Sequence, residues 1–80
     1  MKKEILLLDT VIATVDASNQ VIAGDLGTVV EIYSVPKLAY EVEFVNPDGT
    51  TRALLTLTPE QVRPLSETDV ITTRPPAVAA

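Results

Sequence analysis

Tyr40-Glu41-Val42-Glu43-Phe44-Val45-Asn46-Pro47-Asp48-Gly49-Thr50-Thr51-Arg52-Ala53-Leu54-Leu55-Thr56-Leu57 is the stretch that decides the fold class. Tyr40, Val42 and Phe44 alternate with Glu41 and Glu43, the period of two that a half-buried strand requires, because successive side chains leave opposite faces of the pleat. Asn46-Pro47-Asp48-Gly49 follows, with Pro at the second position and Gly at the fourth, the chemistry of a type I turn. A hairpin is predicted. Taking the turn as a four-residue loop between Val45 and Thr50 places Phe44 opposite Thr51, Glu43 opposite Arg52 and Val42 opposite Ala53. The returning strand then turns Ala53, Leu55 and Leu57 inward and Arg52, Leu54 and Thr56 outward. Glu43 and Arg52 become an exposed cross-strand ion pair, contributing less than ~1 kcal/mol.

Working outward from the hairpin, Thr10 to Val15 is β-branched apart from Ala13 and reads as a first strand. Asp16 to Asn19 is turn-prone, and Val21-Ile22-Ala23 reads as a loop that partly tucks inward. Leu26 to Tyr33 is a second strand entered through glycines, and Ser34 to Leu38, with Pro36, closes it. After the hairpin, Thr58-Pro59-Glu60-Gln61 has the start of a helix, but Pro64 leaves room for one 3-10 turn only. Val62 to Leu65 is a short closing strand, where Pro64 is tolerated because an edge lacks one ladder partner. From Ser66 the chain has no apolar period and carries Pro75-Pro76, so residues 66–80 read as a flexible tail. The expectation is an all-β fold: a small, five-stranded, partly open SH3-like barrel over residues 7–65 with one 3-10 turn.

Composition narrows the chemistry. The 80 residues are 46% hydrophobic, which excludes a disordered chain, and the longest apolar run, Ile5 to Leu8, is too short to span a bilayer. With no Cys and no His, disulfides, thiolate nucleophiles, zinc knuckles and the common Ser- or Cys-based triads are all excluded. Neither an enzyme nor a cofactor or metal site is expected. Met1-Lys2-Lys3 is followed by Glu4 and four apolar residues before Asp9, too little for a secretory signal, so the expected location is the cytoplasm. Six basic against eleven acidic residues give a net charge of −5, and the cations after Lys2-Lys3 are scattered singly. Nucleic-acid binding needs several cations on one face. None is legible here.

Several residues invite sharper readings. Glu41 and Glu43 have the spacing of paired carboxylates, yet alternation puts acids on any wet face. Asn46 and Asp48 resemble calcium ligands, but turn chemistry accounts for both, and a hard cation needs six or more oxygens. Gly24-Asp25-Leu26-Gly27 resembles the glycine turn of RNA-contacting ribosome- and transcription-factor barrels, although a tightly curved strand needs glycines anyway. Leu54 cannot be absorbed into a core, and Val29 and Tyr33 join it as outward candidates, because Val29 and Val30 point the same way only through a bulge. Flanked by Glu31, Glu41 and Glu43, these residues would make an apolar docking patch with an acidic rim.

The segments Leu8-Asp9-Thr10-Val11, Ala23 to Tyr33, Ala39 to Phe44 and Ala53 to Leu57, in that order, resemble a family of short bacterial proteins catalogued as a domain of unknown function and common in cyanobacteria. Family members often carry a Pro-containing run where this chain has Ala17-Ser18-Asn19-Gln20. The resemblance implies small size and, in some genomes, genes beside toxin or nuclease genes. Together the residues and the resemblance predict a non-catalytic protein-interaction module, a monomer or weak homodimer, using Val29, Glu31, Tyr33, Glu41, Glu43 and Leu54 on a basic protein partner. An antitoxin- or immunity-like neutraliser is one form of it. The alternative is a nucleic-acid- or ribosome-associated small barrel.

Overall fold

The computed structural model describes residues 4–66, 68 and 69. Strands β1 (Thr10–Ala13), β2 (Leu26–Tyr33), β3 (Ala39–Val45), β4 (Thr51–Leu57) and β5 (Val62–Pro64) form one antiparallel sheet in the order β4-β3-β2-β1-β5. A 3-10 turn, Pro59–Gln61, precedes β5. The sheet is not closed, so β4 and β5 are its two edges. This is the all-β, five-stranded, open architecture that the alternation predicts, and no α-helix occurs among the described residues.

One face of the sheet holds the core. Val11, Ala13, Val29, Tyr40, Val42, Phe44, Leu57 and Val62 cluster there with Val21, which the loop between β1 and β2 tucks in as expected. Ile5, Ile32, Ala53 and Leu55 pack against the cluster. Gly27 in β2 lies beneath it, and a Cβ at that position would come within 2.5 Å of Val42 Cγ1 and 2.9 Å of a Phe44 ring carbon. Only glycine admits this approach.

β1 ends two residues earlier than its β-branched composition predicts. Thr14 turns to the 3-10 turn instead, its N–H donating to Gln61 O (2.9 Å) and its hydroxyl to Glu60 O (2.6 Å). Before β1, Asp9 N–H donates to Leu6 O and Asp9 Oδ2 accepts from Leu6 N–H, closing a turn that leaves Leu6, Leu7 and Leu8 exposed and Leu8 at φ 70°. After β5, the Arg63 guanidinium meets both Asp69 carboxylate oxygens at 2.8 and 3.1 Å, and Asp69 Oδ2 accepts from Ser66 N–H (2.7 Å). Arg63 thus holds the described turn after Leu65 against β5. The rest of the expected tail lies outside the described residues.

The hairpin corrects the predicted register. Asn46 N–H donates to Thr50 O, Gly49 N–H donates to Asn46 O, and Gly49 sits at φ 90°, so the loop is the three residues Pro47-Asp48-Gly49: a type I turn closed by a left-handed glycine. A bulge then places Arg52 as an extra residue in β4. Phe44 faces Ala53, Glu43 faces Leu54 and Val42 faces Leu55. The inward set Ala53, Leu55 and Leu57 survives, since the shorter loop and the extra residue together shift the pairing by an even number.

Candidate functional site

Because Tyr40, Val42 and Phe44 enter the core, Glu41 and Glu43 stand on the opposite face of β3. The register aligns them with their neighbours in rows, Glu31 facing Glu41 and Glu41 facing Thr56, then Thr28 facing Glu43 and Glu43 facing Leu54. Tyr33 faces Ala39 on the same side. Glu31 and Tyr33 reach this face through a bulge at Val30, the residue skipped between the pairs Val29–Val42 and Glu31–Glu41. Plain alternation from buried Val29 would have turned them inward; the extra residue reverses the phase of the rest of the strand.

Five of the six residues predicted for a docking patch therefore share one face. The sixth, Val29, does not. It is wholly buried in the core, and Val30, 37% exposed, is the residue the bulge pushes out. Leu54 at 53% and Tyr33 at 43% exposure supply the apolar part of the face.

Hydroxyl groups across the ladder hold the carboxylates in place. Thr51 Oγ1 donates to Glu43 Oε2 at 2.7 Å, and Thr56 Oγ1 donates to Glu41 Oε1. Glu31 Oε1 accepts from Ile32 N–H at 3.0 Å. Among the described residues, neither ion pair involves Glu31, Glu41 or Glu43. The Glu31–Glu41 pair thus sets like charges directly opposite each other, an arrangement that destabilises a sheet.

Arg52 does not neutralise this face as predicted. Its side chain is 6% exposed, its Nη1 lies 3.6 Å from Asp25 Oδ2, and its Nε donates to Asn46 Oδ1 at 2.9 Å. The bulge that shifts Arg52 out of the β3 pairing is what makes this possible. Asp25 in turn accepts from Ile22 N–H at 3.0 Å, so Arg52 ties the loop before β2 to the hairpin turn. These groups line a cleft of about 560 Å³ with Leu26, Val45 and Pro47, but its charges are engaged with one another. Asp48 is spent on the turn: its Oδ1 accepts the Thr50 hydroxyl (2.7 Å) and N–H (3.0 Å), and those bonds hold its carboxyl below the usual aspartate range. No group of three or more His, Cys, Asp or Glu among the described residues is placed to hold a metal ion, and no helix is long and apolar enough to cross a membrane.

Searches of curated proteins and of solved structures return no significant match. The family comparison does return one, to a profile described as "Domain of unknown function (DUF4926)", spanning residues 7–64 and so every strand from β1 to β5. With most of its length inside that match, this chain belongs to the DUF4926 family.

Proposed function

We propose that the protein is a non-catalytic interaction module that docks a basic protein partner on the acidic face of β2, β3 and β4. The observation that carries this reading is the Glu31–Glu41 pair, directly opposed across the ladder with no cation among the described residues paired to it. A fold has no need of such a pair, and local arrangements that oppose stability are expected where a surface serves something else. Lys or Arg side chains of a partner would turn that repulsion into attraction, with Leu54 and Tyr33 as apolar contacts flanking the central carboxylates.

In this reading the protein works in the cytoplasm, as a monomer or weak homodimer, on a protein rather than a nucleic acid, and neutralising a basic partner in the manner of an antitoxin or immunity protein is one form it takes. The net charge of −5 supports a protein partner over a phosphate backbone. The test is zero-length carbodiimide coupling in extracts of the native host, which joins carboxylates to amines in contact. Partner lysines coupled to Glu31, Glu41 or Glu43, lost in high salt and lost with Leu54→Arg, are expected. Coupling confined to other carboxylates, or micromolar binding of RNA or duplex DNA, would overturn the reading.

A further inference from the structure

The two edges of the sheet differ in how they are protected. β5 is three residues long, contains Pro64 with no N–H to offer, and carries Arg63 with the Asp69 turn folded against it. β4 has none of these devices. It is seven residues long, contains no Pro, Lys or acid, and its single charge, Arg52, is buried against Asp25. Long edge strands without charge or Pro are templates for an added strand.

The backbone groups on β4 that lack a ladder partner among the described residues can be named. Asn46 N–H donates to Thr50 O, so alternation along β3 aims Phe44, Val42 and Tyr40 at β4, where they face Ala53, Leu55 and Leu57. The N–H and C=O groups of Leu54 and Thr56 then point the other way, to the open edge. Beside them on one face lie Glu43 and Glu41, the direct neighbours of Leu54 and Thr56. On the other face lie Ala53 and Leu55, which pack against the core but are only half-buried.

From this juxtaposition we infer that β4 receives an extended segment of the protein partner as a sixth strand, with cationic and apolar side chains alternating along it. This rests on the acidic-face reading and specifies how the partner is held. Backbone bonds to Leu54 and Thr56 supply the register, Lys or Arg on the outer side reaches across β4 to Glu41 and Glu43, and apolar residues on the inner side cover Ala53 and Leu55. A second copy of the chain fits less well. Pairing β4 with β4 would join two acidic faces and bring no cation to Glu41 and Glu43.

The experiment uses the full-length protein and an end-blocked peptide of alternating Lys and Val, the same seven residues in length as β4, followed by amide chemical shifts. The largest shifts are expected at Leu54 and Thr56. Thr56→Val keeps the edge N–H but releases Glu41 from its hydroxyl partner, so it should keep the edge shifts with binding weakened no more than a few-fold, while Thr56→Pro removes that N–H and should abolish binding with its remaining amide spectrum still folded. Glu41→Gln with Glu43→Gln should weaken binding roughly five- to tenfold. Shifts confined to β2 and β3, unaffected by Thr56→Pro, would overturn the strand addition and leave the acidic face standing. Edge shifts produced equally by a Glu-Val peptide would overturn the cationic partner and with it the acidic-face reading. No shifts up to about 1 mM peptide, or edge shifts that grow with protein concentration alone, would also overturn the proposal.

Discussion

At the scale of single residues, Phe44 and Glu31 show the two pressures on this chain. Phe44 is 1% exposed and fills the space that Gly27 leaves open. Phe44→Ala is expected to cost about 3–5 kcal/mol, because a thin sheet cannot collapse into the cavity, and that approaches the whole stability of a domain this small. Urea unfolding measures it, and a midpoint near wild type would show that Phe44 is not a core anchor. Glu31 behaves in the opposite way. Glu31→Lys places unlike charges across the ladder from Glu41 and is expected to raise stability by a few tenths to about 1 kcal/mol while weakening salt-dependent association with the partner. Lower stability for this variant would mean that the opposed carboxylates do not repel in the folded state. Phe44 was legible from its place in the alternation, whereas Val29 was not. Val29 and Val30 are chemically equivalent neighbours, so periodicity cannot say which of them a bulge expels.

Among the elements, the β3–β4 hairpin carries most of the information. Its existence was readable from Tyr40 to Phe44 and from the turn residues, but its register was not, because Asn46-Pro47-Asp48-Gly49 is compatible with a loop of either three or four residues. The Arg52 bulge was invisible for a different reason. The contact it permits is with Asp25, remote in sequence and brought near only by the folded sheet. Arg52→Ala strands Asp25 at 9% side-chain exposure without its guanidinium, and breaking a buried pair from one side is expected to cost about 3–5 kcal/mol. Thermal unfolding of Arg52→Ala, Asp25→Ala and the double variant measures this, with the double variant far less than additive. Additive losses would show that the two groups act separately. Of the candidate face, Glu41, Glu43 and Leu54 followed from alternation, and the orienting hydroxyls of Thr51 and Thr56 required the register itself.

At the scale of the whole molecule, a polar contact rather than an apolar one marks the chain after β5. Residues after β5 offer no periodicity, and a polar clasp between Arg63 and Asp69, which no apolar pattern announces, holds the described turn beside β5. The Arg63 guanidinium and then the Ser66 N–H hold the Asp69 carboxyl well below the usual aspartate range. A lowered carboxyl pKa favours the folded clasp above the ordinary aspartate value and loses that contribution as pH falls through the lowered one. The clasp should therefore remain intact at about pH 4 and open only in stronger acid, with the midpoint rising in Arg63→Gln but staying below the ordinary aspartate value, because the Ser66 N–H still donates to Asp69. A side-chain carboxyl titration by NMR checks both values, and an ordinary wild-type midpoint would show that the clasp does not form. Among the described residues, the same clasp, with Pro64, leaves β4 as the one edge without such protection. In the language of polymer chemistry the protein is a monofunctional unit. A fibre needs a site at each end of every subunit, whereas with the proposed strand addition at β4 alone each molecule would act as a chain stopper, and its edge pairing would end in a finite complex.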